Sequence, residues 1–257
     1  MAAEGGGDDS AFQPRTHLRE ARLRADSAAL VVIDVQNFCC HPDGPVWKHL
    51  AGQELAYTRS SMEQAVRNIG ELLGAFRARQ MEVLYTVIES LTRNGRDRSL
   101  DYKISGFNVP RGSWGTRVLE EIAPAEDEIV LPKTSSSLFI STNVQYLLRN
   151  LGVTQVVLVG GLTDQCVESA IRDACDMGFL VTQVTDACYT HSAEMQAASI
   201  RAIRGYCRQR TTAQLLEELT PVAPAPPWLE SGFRADTEEA AAVAGEPAAK
   251  RTRASPQ

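Results

Sequence analysis

Residues 156–178 read VVLVGGLTDQCVESAIRDACDMG. The run at 156–159 is short, aliphatic and mostly β-branched, the composition of a strand buried on both faces. Gly160 and Gly161 end it in a tight turn, and three polar residues, Thr163, Asp164 and Gln165, follow. Beyond Cys166 the period changes. Val167, Ala170, Ile171 and Ala174 recur at spacings of three and four, one apolar stripe of a helix, and Gly178 stands where a helix stop belongs. Strand, turn and helix follow one another directly, with a thiol at the junction.

The same alternation extends in both directions. Apolar runs at 29–35, 83–88, 129–131 and 180–184 read as further strands, with a brief sixth near 208–212. Helical periodicity marks 62–79, 142–151, 166–177 and 193–204, and a final helix reaches Leu219. Strands alternating with helices imply an α/β domain with a mostly parallel sheet covered on both faces. One domain, 27–220, accounts for this pattern. Residues 1–26 and 221–257 are poor in large apolar residues and are expected to be flexible tails. Lys250, Arg251 and Arg253 read as a solubilising charge group in the second tail.

Composition narrows the function. The chain has 257 residues, 44% of them hydrophobic, enough for a sizeable core, and a formal charge of −6. Its basic residues are interleaved with acids, so no concentrated face for nucleic-acid phosphates is expected. There is no run of eighteen apolar residues and no signal-peptide pattern, which leads to the expectation of a cytoplasmic, non-membrane protein acting on a small molecule. The six cysteines follow no zinc spacing and are expected as reduced thiols.

In open parallel sheets, chemistry collects at the carboxyl ends of the strands. Three residue types stand there. Asp34 ends the first strand in ALVVIDVQNF, Lys133 follows the third in LPKTSSSLF, and Cys166 follows the fourth. A carboxylate, an ammonium and a thiol can act as base, charge partner and nucleophile. Cys166 also lies at the expected start of a helix, where free backbone N–H groups and the dipole favour a thiolate. The turn before it can aim backbone donors at an oxyanion.

These three stretches resemble the isochorismatase-like cysteine hydrolases, a superfamily that includes nicotinamidases, N-carbamoylsarcosine amidases, ureidoacrylate and biuret hydrolases, and isochorismatases. The resemblance covers about residues 27–213. It implies a three-layer α/β/α sandwich on a six-stranded sheet and a catalytic triad of Asp34, Lys133 and Cys166. It also implies a cis peptide between Gly161 and Leu162, and an association into homodimers or homotetramers. In the mechanism that follows, Asp34 deprotonates Cys166, the sulfur attacks an amide or ureide carbonyl, and the N–H groups of Leu162 and Cys166 hold the oxyanion.

Within that superfamily the cysteine favours C–N hydrolysis over vinyl-ether cleavage. The region TVIESLTRNGRD, 86–97, has no histidine, unlike the metal-binding stretch of nicotinamidases, so no metal and no other cofactor is expected. The leading expectation is a linear-amide or ureide hydrolase that releases ammonia. Nicotinamidase-like or isochorismatase-like hydrolysis and a non-catalytic binding module are the alternatives. Phe38, Glu89 and Trp114 are candidate pocket residues, and the long connection 91–114 is a candidate lid whose cations could meet an anionic substrate.

Overall fold

A computed structural model of the chain describes residues 14–219. Six strands, β1 (Ala28–Ile33), β2 (Glu82–Ile88), β3 (Ile129–Lys133), β4 (Gln155–Gly161), β5 (Leu180–Tyr189) and β6 (Arg208–Arg210), form one sheet in the order β3-β2-β1-β4-β5-β6. Every neighbouring pair is parallel. From β1 the chain winds outward to β3, then returns to β4 and winds the other way. The strand order therefore reverses between β1 and β4, and a crevice opens at their carboxyl ends.

Among the described residues are eight α-helices: α1 (Asn37–Cys40), α2 (Gly52–Arg77), α3 (Leu100–Ile104), α4 (Leu138–Ser141), α5 (Val144–Asn150), α6 (Glu168–Asp176), α7 (Ala193–Ala202) and α8 (Thr212–Leu219). The period-two alternation of β1 divides the core. Leu30 and Val32 pack with Ile69, Leu72 and Phe76 of α2 and Leu215 of α8. Ala29, Val31 and Ile33 pack with Leu148 of α5 and Ala170, Ile171 and Ala174 of α6. Both faces of β1 are thus covered, which is why all six of its residues are apolar and buried. Pro132 is tolerated because β3 is an edge strand.

Three boundaries differ from the sequence reading. Helix α2 begins at Gly52, not 62, because its first ten residues bury only Thr58 and give no apolar stripe. Strand β5 runs to Tyr189, past 184, through a register shift opposite Leu158 and Gly160 that accommodates the polar pair Thr185 and Asp186. Asp186 Oδ1 then accepts from the N–H of Thr212 at 2.7 Å and fixes the start of α8. Part of the N-terminal segment expected as tail up to residue 26 is held against the domain. Leu23 packs on the α2 side of the core, its N–H donates to Glu218 Oε1, and the N–H of Arg24 donates to Gln155 Oε1 at 2.7 Å. Residues 1–13 of that tail and all of 221–257, including the Lys250 cluster, lie outside the described residues. Among the described residues no helix is long and apolar enough to cross a membrane.

Candidate active site

The crevice between β1 and β4 is built first by glycine. Gly160 has φ of +110°, and a Cβ there would lie 2.2 Å from the carbonyl oxygen of Ile33, so only glycine lets the two strand ends approach. A Cβ on Gly161 would meet the Tyr189 ring at 2.4 Å. The Gly161–Leu162 peptide is cis. The chain then enters a single π-helical turn, Thr163–Val167, that carries Cys166 and leads into α6. Such turns are wider than an α-helix and frequent at functional sites.

Asp34 leaves β1 in a left-handed conformation, φ +56°, with its side chain buried. Thr86 Oγ1, from the neighbouring β2, donates to Asp34 Oδ1 at 2.9 Å. Lys133 Nζ lies 2.8 Å from Asp34 Oδ2, with Lys133 wholly removed from solvent. That approach is off the hydrogen-bonding directions of Oδ2, which has no directed donor. The ammonium donates instead to the Tyr102 hydroxyl at 2.7 Å, the Ser135 carbonyl at 2.8 Å and Cys166 Sγ at 3.4 Å. The structure therefore brings the carboxylate, ammonium and sulfur, from three strand ends, into one buried cluster.

Electrostatics within the cluster follow from burial and charge. Burial alone would lower the Lys133 pKa, but the neighbouring Asp34 carboxylate and Cys166 sulfur more than offset it and hold the ammonium above its ordinary value. For Cys166, 6% exposed, burial pushes the thiol up to about 11; Lys133 pulls down and Asp34 pushes up. The sulfur sits in the π turn, dry and beside a carboxylate, surroundings that favour the thiol over the thiolate expected of a helix start.

Tyr102 belongs to the cluster although the sequence marked it only as part of the 91–114 connection. Ser99 Oγ caps α3 by accepting from the Tyr102 N–H, and the Ser99 N–H donates to the Thr134 carbonyl at 2.9 Å, pinning α3 over the end of β3. The Tyr102 hydroxyl, which donates to the Ser135 carbonyl at 3.0 Å, is 3.8 Å from Cys166 Sγ, and Phe107 stacks on its ring. Ser99, three residues before a buried aromatic, was the available signal.

A cavity of about 40 Å³ adjoins the sulfur, room for about three waters at ~10–15 Å³ each. Its polar lining includes Asp34, Cys166, Tyr102, Thr58, Gln165 and His191, and Val46, Ile88, Phe107 and Leu162 are among its apolar walls. The three residues expected in the pocket do not line it. Ile88 faces the cavity, so the alternation of β2 turns Glu89 away, toward Arg111 at 3.9 Å. Phe38 stands a layer behind, against Phe107 with ring centroids 5.7 Å apart, while its helix neighbour Cys39 takes the wall position. Trp114 is 43% exposed and packs edge-on against His41. His191 and Thr58, both absent from the sequence reading of the pocket, line it; their distance along the chain hid them. Among the described residues no group of three or more His, Cys, Asp or Glu is disposed to hold a metal ion.

A family model, Isochorismatase domain, matches residues 28–215. The chain is 29% identical over 187 residues to the ureidoacrylate amidohydrolase RutB of Rhizobium rhizogenes, covering 64% of this chain and 71% of that protein. Among solved structures it resembles a cysteine hydrolase from Pseudomonas syringae pv. phaseolicola, with TM-score 0.67, 24% identity, and 77% and 95% of the two chains covered. It also resembles N-carbamoylsarcosine amidase from Thermoplasma acidophilum, with TM-score 0.58, 25% identity, and 72% and 96% covered.

Proposed function

The chain belongs to the isochorismatase domain family, and from that premise we propose that it is a cysteine-dependent amidohydrolase that cleaves a C–N bond of a small linear amide or ureide and releases ammonia. One observation carries the reading: Lys133 Nζ is 2.8 Å from Asp34 Oδ2 and 3.4 Å from Cys166 Sγ, and both the carboxylate and the sulfur line the cavity. The names of relatives that hydrolyse ureidoacrylate and N-carbamoylsarcosine support the substrate class.

Asp34 takes the thiol proton as the sulfur attacks the carbonyl carbon. Its Oδ2, which lacks a directed donor, is the acceptor. Lys133 favours the anionic forms of both partners while the proton moves. A C–S bond forms, the carbonyl electron pair moves to oxygen, and the N–H groups of Leu162 and Cys166 hold that charge, each worth about 3 kcal/mol. The tetrahedral adduct collapses, the C–N bond breaks, and protonated Asp34 delivers its proton to departing ammonia. A water then gives a proton to Asp34 and adds to the thioester; the C–S bond breaks, Asp34 passes that proton to the departing sulfur, and the acid leaves with the thiol and carboxylate restored.

Ammonia release from a panel of biuret, ureidoacrylate, N-carbamoyl amino acids, nicotinamide and simple carboxamides tests this function. Turnover of a linear member, lost in Cys166→Ala, is the expected result. Preference for nicotinamide would shift the assignment within the family, and silence across the panel together with an unreactive Cys166 would leave a binding module.

A further inference from the structure

His191 lies just beyond the end of β5 and lines the same cavity as the Cys166 sulfur. Its Nδ1 is 3.2 Å from Oγ1 of Thr58, which comes from α2 and is 2% exposed. The Thr58 hydroxyl has no other side-chain or carbonyl partner among the described residues, and we take it as the donor to Nδ1. The ring then carries its own proton on Nε2, the nitrogen without a protein partner there. An oriented N–H donor is thus set in the wall of a small cavity that is otherwise largely apolar.

The charges around this donor decide what it accepts. Glu54 and Asp164 act on His191 through their fields, and Asp34 also lines the cavity. Burial lowers the His191 pKa, with Glu54 and Asp164 opposing, so the ring is neutral near pH 7. The nearby cations are committed elsewhere. Lys133 is engaged by Asp34, Tyr102, Ser135 and Cys166; Arg98 donates to the carbonyls of Gly95 and Phe107; Arg111 lies by Glu89. Among the described residues no Lys or Arg side chain lines the cavity. A carboxylate placed there would lose its hydration, gain no ion pair and face acids of its own sign.

We propose that His191, oriented by Thr58, binds the end of the substrate remote from the scissile bond, and that the cavity selects an uncharged small amide or ureide bearing a hydrogen-bond acceptor in its tail over the corresponding acid. The inference rests on the amidohydrolase reading and specifies its substrate class. It runs against the ureido acids acted on by the named relatives, because it follows from the groups lining this cavity.

Matched pairs test it: malonamide against malonamic acid, and ureidoacetamide against N-carbamoylglycine, with propionamide as an amide that has no acceptor in its tail. For the full-length enzyme the expected kcat/KM favours the uncharged member of each pair by about fiftyfold or more, through KM. In His191→Leu the KM advantage of malonamide over propionamide collapses by about tenfold, with a smaller change in kcat. His191→Gln, which keeps an N–H donor, restores part of the advantage, and Thr58→Val loses part of it. Equal or better use of the acids by the wild type would overturn the proposal, as would an unaltered malonamide-to-propionamide ratio in His191→Leu. Calorimetric binding of the same pairs to Cys166→Ala reads selectivity without turnover. Tighter binding of the amides with no ammonia release by the wild type would refute the hydrolase reading and retain the selectivity, whereas turnover with preference for the acids would do the reverse.

Discussion

Replacing Lys133 by Met removes the ammonium from a cluster in which it is 0% and Asp34 only 2% exposed. The remaining carboxylate keeps the Thr86 hydrogen bond on Oδ1 and loses its only counter-charge, 2.8 Å from Oδ2. Stranding one member of a buried pair costs about 3–5 kcal/mol, a large share of the ~5–15 kcal/mol that holds a domain folded. Urea denaturation at about pH 8 measures that loss. Adding Asp34→Asn removes the stranded charge. The double variant should regain most of the stability at about pH 8 while releasing no ammonia. A single variant within about 1 kcal/mol of the wild type, or a double variant no more stable than the single, would refute the picture of a dry, mutually neutralised pair.

Three further outcomes follow from the same geometry. Cys166→Ala should abolish ammonia release and Cys166→Ser should reduce it by several orders of magnitude, since a hydroxyl is far less acidic; steady-state assays with intact-mass checks measure both. The ultraviolet thiolate absorbance assigned to Cys166 by difference from Cys166→Ala should titrate near about 11 in the resting protein, and stability should fall with rising pH between the ordinary thiol value and that point, because only the unfolded thiol ionises there. Gly161→Ala drives a methyl group into the Tyr189 ring, whose hydroxyl is 3.0 Å from Cys40 Sγ, and should cost about 1–3 kcal/mol by thermal melt together with most of the activity.

Much of the architecture was legible because one physical signal recurs. Buried parallel strands read as short aliphatic runs, and residues 156–178 alone display strand, turn and stripe. The elements that escaped lack that signal. The first ten residues of α2 bury only Thr58, and the end of β5 carries Thr185 and Asp186 where a strand pattern should be apolar. Residues 14–26 looked like tail because what binds them is polar and distant: Glu218 and Gln155. The strand-end rule led to Asp34, Lys133 and Cys166, whereas pocket walls depend on which way each side chain turns. Glu89 was misread for its neighbour Ile88, and Phe38 for its neighbour Cys39. Tyr102, Thr58 and His191 reach the cavity from a loop helix, the first turns of α2 and the residues after β5, contacts that no local spacing encodes.

The most direct test of a covalent route through Cys166 is rapid-quench intact mass and peptide mapping of the enzyme mixed with a substrate it turns over. A transient acyl or carbamoyl adduct confined to the peptide containing Cys166, formed as ammonia appears and absent from Cys166→Ala, is the expected result. Turnover with no adduct at any quench time, under conditions where deacylation limits the rate, or an adduct on a different cysteine, would contradict it.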